Sequence, residues 1–86
     1  MKQAYFNELI SVIVLTQDEK AAKKLLRDIL TRGELKTILT RIQLIKLLKA
    51  GVPQRDIAKR LGISIAKVTR GSRFLQKHKN AFSEFE

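Results

Sequence analysis

Cysteine is absent from this sequence. Disulfides and thiolate metal sites are therefore excluded, and with them two common ways of stabilising a short chain. His78 is the only histidine and lies between Lys77 and Lys79. A lone histidine in that setting reads as a solvated helix-end residue rather than a metal ligand or a base. Without a thiol, and with no other imidazole, most nucleophile–base pairs are unavailable. No glycine-rich phosphate loop occurs, nor the pattern G-x-x-x-x-G-K-[ST]. We therefore expect no catalytic set, no metal site and no enzyme. The apolar run over residues 9–15 is too short to cross a membrane. The N-terminus lacks the basic start and small-residue cleavage site of a signal peptide. The expectation is a cytoplasmic protein with no membrane partner.

Acidic residues are scarce where they would matter most. The net charge is +10, and residues 1–35 are almost balanced at +1. Residues 36–79 carry twelve basic side chains against Asp56 alone. A block so one-sided repels itself unless it meets a polyanion. A merely soluble basic surface would look the same on charge alone, so the pattern of residues has to decide.

No repeat, low-complexity tract or linker interrupts the 86 residues, which bound a single domain (1–86). The first helix reads from about Lys2 to Leu15, and its apolar residues cover more than one face. Thr16 and Glu19 have the spacing of a capping box, which predicts a second helix starting there. Along it Ala22, Leu25, Leu26, Ile29 and Leu30 form one apolar stripe. Thr31 and Glu34 repeat the box, and the third helix is expected to run to about Ala50. Leu35, Ile38, Leu39, Ile42 and Ile45 lie on one side of it. Gly51 suits the position that ends it. Two adjacent helices this apolar, in so small a chain, expose too much surface unless a partner covers them. Residues 1–50 are thus expected to dimerise.

Residues 53–76 read as a helix-turn-helix. Pro53 suits the first position of a short helix, and Asp56 favours its first turn. Ile57, Ala58 and Leu61 are spaced to face inward. Gly62 supplies the turn, where a left-handed backbone is cheap, and Ile63 plugs the corner. Ser64 caps the next helix, which carries Ile65 and Val68 inward. A small residue at the crossing, a glycine in the turn and a branched residue behind the second helix fit two helices at a steep angle. Gln54, Arg55, Lys67, Thr69, Arg70 and Arg73 face outward, and such side chains donate to phosphates and base edges. Double-stranded DNA is the expected partner.

Residues 30–75 resemble the tryptophan repressor family. The matching stretches are Leu30-Thr31 with Glu34, Thr40-Arg41, Gln54-Arg55-Asp56-Ile57, and above all Gly62 through Ser72, which ends in T-R-G-S. The resemblance implies an all-α, intertwined homodimer that binds operator DNA when L-tryptophan fills a pocket beside each reading head. It implies ligand-binding roles for Thr31, Arg41, Arg70 and Gly71. Arg41 and Arg70 would lie on opposite faces of the indole, with Arg70 also meeting the carboxylate. Thr31 would line the pocket and Gly71 would leave room for the ligand. It likewise implies DNA-facing roles for Gln54, Arg55, Ile65, Ala66, Lys67 and Thr69. Guanidinium planes do stack on rings and pair with carboxylates.

The chain departs from the family at three places. Phe74 stands where the family often has a serine near the ligand's amino group. Lys67 replaces a smaller residue. The turn before Pro53 is one residue shorter. The expected function is a sequence-specific repressor of tryptophan biosynthesis or uptake genes, with L-tryptophan as corepressor. A related regulator that ignores tryptophan or senses another small ligand is the alternative, and a non-specific nucleic-acid coat is a third possibility.

Overall fold

The computed structural model describes residues 2–85. Its order is α1 (Gln3–Leu15), α2 (Glu19–Ile29), α3 (Arg32–Lys49), α4 (Gln54–Leu61) and α5 (Ile65–Lys77). No strand occurs among the described residues, so the chain is all-α as expected. It forms two compact units, Met1–Leu35 and Lys36–Glu86.

The first unit has no core of its own: no described residue from Lys2 to Leu35 is buried. All eight large apolar or aromatic side chains of α1 from Tyr5 to Leu15 are exposed, with Val14 and Leu15 both at 73%. The start of α2 differs from the sequence expectation. Asp18, not Thr16, is its N-cap, and the Asp18 carboxylate accepts from the Ala21 N–H at 2.7 Å. Thr16 instead ends α1, with its hydroxyl donating back to the Val12 carbonyl. Thr16 is engaged in ending α1, which leaves Asp18, two residues further on, to cap α2. The second box is present as expected. The Thr31 N–H donates to Glu34 Oε1 at 2.8 Å, and the Glu34 N–H donates to the Thr31 hydroxyl at 3.1 Å. The Thr31 backbone N–H most strongly, and after it the Thr31 side chain, hold the Glu34 carboxyl below the usual carboxylate range.

The second unit is built on three buried residues, one from each of its helices. They are Ile45 of α3, Ile57 of α4 and Val68 of α5, the last two with no exposed surface. Each such side chain contributes about 1.5–3 kcal/mol on burial. Two left-handed glycines set the chain path. Gly51 has φ +79°, and around it the Val52 N–H reaches the Leu47 carbonyl while its own N–H reaches Leu48. This double closure ends α3 and turns the chain into α4. Gly62 has φ +64°, and its N–H and that of Ile63 both reach the Ala58 carbonyl. A residue with a Cβ is strained at either position. Pro53 caps α4 rather than occupying its first turn, because its ψ of 140° is extended. Ser64 caps α5, accepting from the Lys67 N–H at 3.2 Å. Ile65 is not inward as its spacing suggested: it is 51% exposed, and Val68 alone on α5 is buried. Ile65 begins the helix right after the cap, where the turn has not yet brought the backbone over α4.

Candidate nucleic-acid interface and its adjoining cleft

α4 and α5 pack on each other through Ile57 and Val68, and the residues expected to meet DNA follow from that register. Arg55, Ile65, Ala66, Lys67 and Arg73 are exposed. Gln54 and Thr69 are half-buried and bonded to each other, the Thr69 hydroxyl donating to Gln54 Oε1 at 2.8 Å. This bond ties the first residue of α4 to the middle of α5. It uses the acceptor end of the Gln54 amide and leaves the donor end for another acceptor. Sequence reasoning assigned both residues to the outer face and missed that they form one pair.

The electrostatics are as one-sided as the composition. From Ile57 to Ser83 there is no acidic residue. Among the described residues the side-chain ion pairs are Lys23–Glu19 and Lys24–Asp28, both within α2. Among the described residues, none of the cations of residues 36–79 is in a side-chain ion pair.

A cleft of about 710 Å³ opens between α3 and α5 within the second unit. Arg41 from α3 and Arg70 from α5 line it together, with Gly71 on its wall. Leu44, Ile45, Leu61 and Ile63 supply apolar surface, and Thr37, Thr40, Lys36 and Lys67 polar surface. The site can thus present guanidinium groups to an anion beside an apolar surface for a flat ring. Of the expected ligand residues, Arg41, Arg70 and Gly71 come together here. Thr31 lies in the other unit, in the capping box described above.

Gly71 is where α5 approaches α3. A Cβ there would stand 3.1 Å from Leu44 Cδ2 and 3.4 Å from Leu48 Cδ1. Phe74 also lines the cleft, its ring 4.4 Å from the His78 ring and 5.9 Å from that of Phe82. His78 is exposed at the end of α5, as its neighbours suggested. Spacing could have found some of the missed lining, since Thr37, Leu44 and Ile45 fall four before, three after and four after Arg41. No spacing signal marks Phe82, which reaches the cleft from the segment after α5.

Residues 4–85 match the family described as Trp repressor protein. The chain belongs to the Trp repressor family. A Trp operon repressor homolog of Xylella fastidiosa (strain M23) is 37% identical over 76 residues, 87% of this chain and 83% of that protein. One from Chlamydia trachomatis serovar L2 is 40% identical over 70 residues, 80% of this chain and 74% of its own. One from Vibrio vulnificus is 29% identical over 72 residues, 83% and 71% of the two chains. No solved structure matches. Membership makes the chain a transcriptional regulator of the repressor class, in a family that is not enzymatic. Among the described residues no helix is long and apolar enough to cross a membrane, and no cluster of metal-ligating side chains occurs.

Proposed function

We propose that the protein is a homodimeric repressor that binds operator DNA through α4 and α5 and uses L-tryptophan as corepressor. One placement carries this reading: Arg41 and Arg70 line the same cleft, and Arg70 is on the helix that would enter the major groove. A ring held between two guanidinium planes, with its carboxylate on Arg70, would fix the angle of α5 against α3. The ligand then favours DNA binding to the extent that its contacts are better in the DNA-competent arrangement. Arg55, Ile65, Ala66, Lys67 and Arg73, with the Gln54–Thr69 pair, form the proposed DNA face, and Thr31, Arg41, Arg70 and Gly71 the proposed ligand set.

The dimer reading is supported by the first unit, none of whose described residues is buried and which exposes the whole apolar content of α1. Such a surface needs a second chain to cover it. A two-fold dimer would carry its reading heads about 34 Å apart, one turn of DNA, on a pseudo-palindromic site.

The test is direct because the chain contains no tryptophan, so the ligand's own fluorescence reports its binding. L-tryptophan titrated into the protein is expected to bind saturably. Arg70→Ala is expected to weaken it at least about tenfold, since a hydrogen bond to a charged group is worth about 1.5–3 kcal/mol. Saturable binding that is indifferent to Arg70 would overturn the placement of the ligand. No binding would favour a regulator that ignores tryptophan.

A further inference from the structure

The segment after α5 has no part in the reading above, yet it reaches the cleft. Phe82 lines the cleft, half-buried, beside Arg70, Gly71 and Phe74. Its ring stands between two others, 5.9 Å from Phe74 and 6.0 Å from Phe85. Its carbonyl accepts a hydrogen bond from Lys49 Nζ, which fastens the segment to the end of α3. Its backbone has φ +59°, the only positive φ of a non-glycine residue among those described. A bulky residue holds that conformation only where its surroundings impose it, and such positions gather at ligand clamps. Four observations thus converge on one residue: cleft surface, ring contacts, a long-range backbone tether and a forced backbone.

We propose that Phe82 is a ligand-contacting residue. Phe82 brings the segment after α5 onto the cleft wall, and its ring packs against the aromatic ring of the bound molecule. Arg70 takes the carboxylate, the two guanidinium planes take the faces of the ring and Phe82 meets its edge, so the site selects aromatic carboxylates over aliphatic ones. The inference rests on the ligand reading given above and adds a specificity-determining residue to it.

The experiment compares wild type, Phe82→Ala and Phe82→Leu in titrations with L-tryptophan, with L-leucine as the aliphatic control. Thermal unfolding without ligand checks that each variant folds. Wild type is expected to bind tryptophan and to discriminate against leucine. Both variants are expected to bind tryptophan about tenfold more weakly, because leucine keeps bulk but not the ring face, and to lose part of the discrimination. A nuclear Overhauser contact between the Phe82 ring and the indole protons is expected, which a merely structural role would not produce. Tryptophan affinity unchanged in both variants overturns the proposal. Tighter binding by Phe82→Ala also overturns it, since the ring would then be blocking the cleft. A wild type that binds no tryptophan overturns the ligand reading itself, and this inference with it.

Discussion

Replacing Thr69 by valine removes one hydroxyl from the joint between α4 and α5 and leaves the shape of the side chain almost intact. The hydroxyl donates to Gln54 Oε1 at 2.8 Å in a half-buried setting. The net worth of such a bond is about 0.5–1.5 kcal/mol, and an acceptor left buried without a donor adds to the loss. Gln54 is only half-buried, so its Oε1 can turn toward water. A cost of about 1 kcal/mol is the expectation. Threonine and valine have similar helix propensities, so the backbone contributes little to the difference. In a domain of this size about 1 kcal/mol lowers the unfolding midpoint by roughly 4–8 °C. Thermal unfolding is followed without DNA or ligand and at one protein concentration, because a dimer's midpoint depends on concentration. Gln54→Ala and the double variant complete a cycle whose coupling energy is expected to be about 0.5–1.5 kcal/mol. Strictly additive single effects would refute the reasoning: Thr69 would then be an outward donor with no part in joining the helices.

In Gly71→Ala, helix propensity favours alanine by up to about 1 kcal/mol, while the new methyl crowds Leu44 and adds bulk to the cleft wall. Urea unfolding is expected to show little change in stability, and titration a clear loss of tryptophan affinity. Glu34 contributes stability that is fully present above the ordinary carboxylate pKa, since its folded pKa is depressed. That contribution is lost as pH falls through the folded value, so unfolding midpoints of wild type are expected to fall more steeply in acid than those of Glu34→Gln. DNA binding is expected to fall by about 10³–10⁵ between 50 and 200 mM salt if each dimer neutralises roughly 6–10 phosphates. Arg55→Ala and Lys67→Ala are each expected to reduce that salt slope, read from binding isotherms, without shifting the unfolding midpoint. Sedimentation at micromolar concentration is expected to show a dimer, and a folded monomer would contradict the role given to α1.

Helix positions were legible in the sequence because local chemistry settles them. Gly51, Gly62 and Ser64 act at the positions their residue types suggested. The misreadings share a cause. Thr16 and Asp18 are both good caps two residues apart, and only the path of the chain out of α1 decides between them. Ile65 is apolar and follows an inward pattern, but the crossing of α5 over α4 turns it out. Within the cleft, Arg41, Arg70 and Gly71 were legible from family resemblance. Phe82 was not, because its place depends on a turn after α5 and a tether from Lys49, neither of which has a local signature. The Gln54–Thr69 bond was hidden for a similar reason: pairing across 15 residues follows from the helix crossing, not from spacing.

The central claim is that the cleft and the DNA face are coupled. It is tested by the affinity of the protein for a duplex selected from a randomised pool, measured with and without saturating L-tryptophan. Typical coupling of 1–3 kcal/mol corresponds to a gain of about 5–150-fold with the ligand, and reciprocity requires the duplex to tighten tryptophan binding by the same factor. Arg41→Ala is expected to abolish most of the gain while leaving weak, salt-sensitive binding. An affinity that tryptophan does not change would contradict the account.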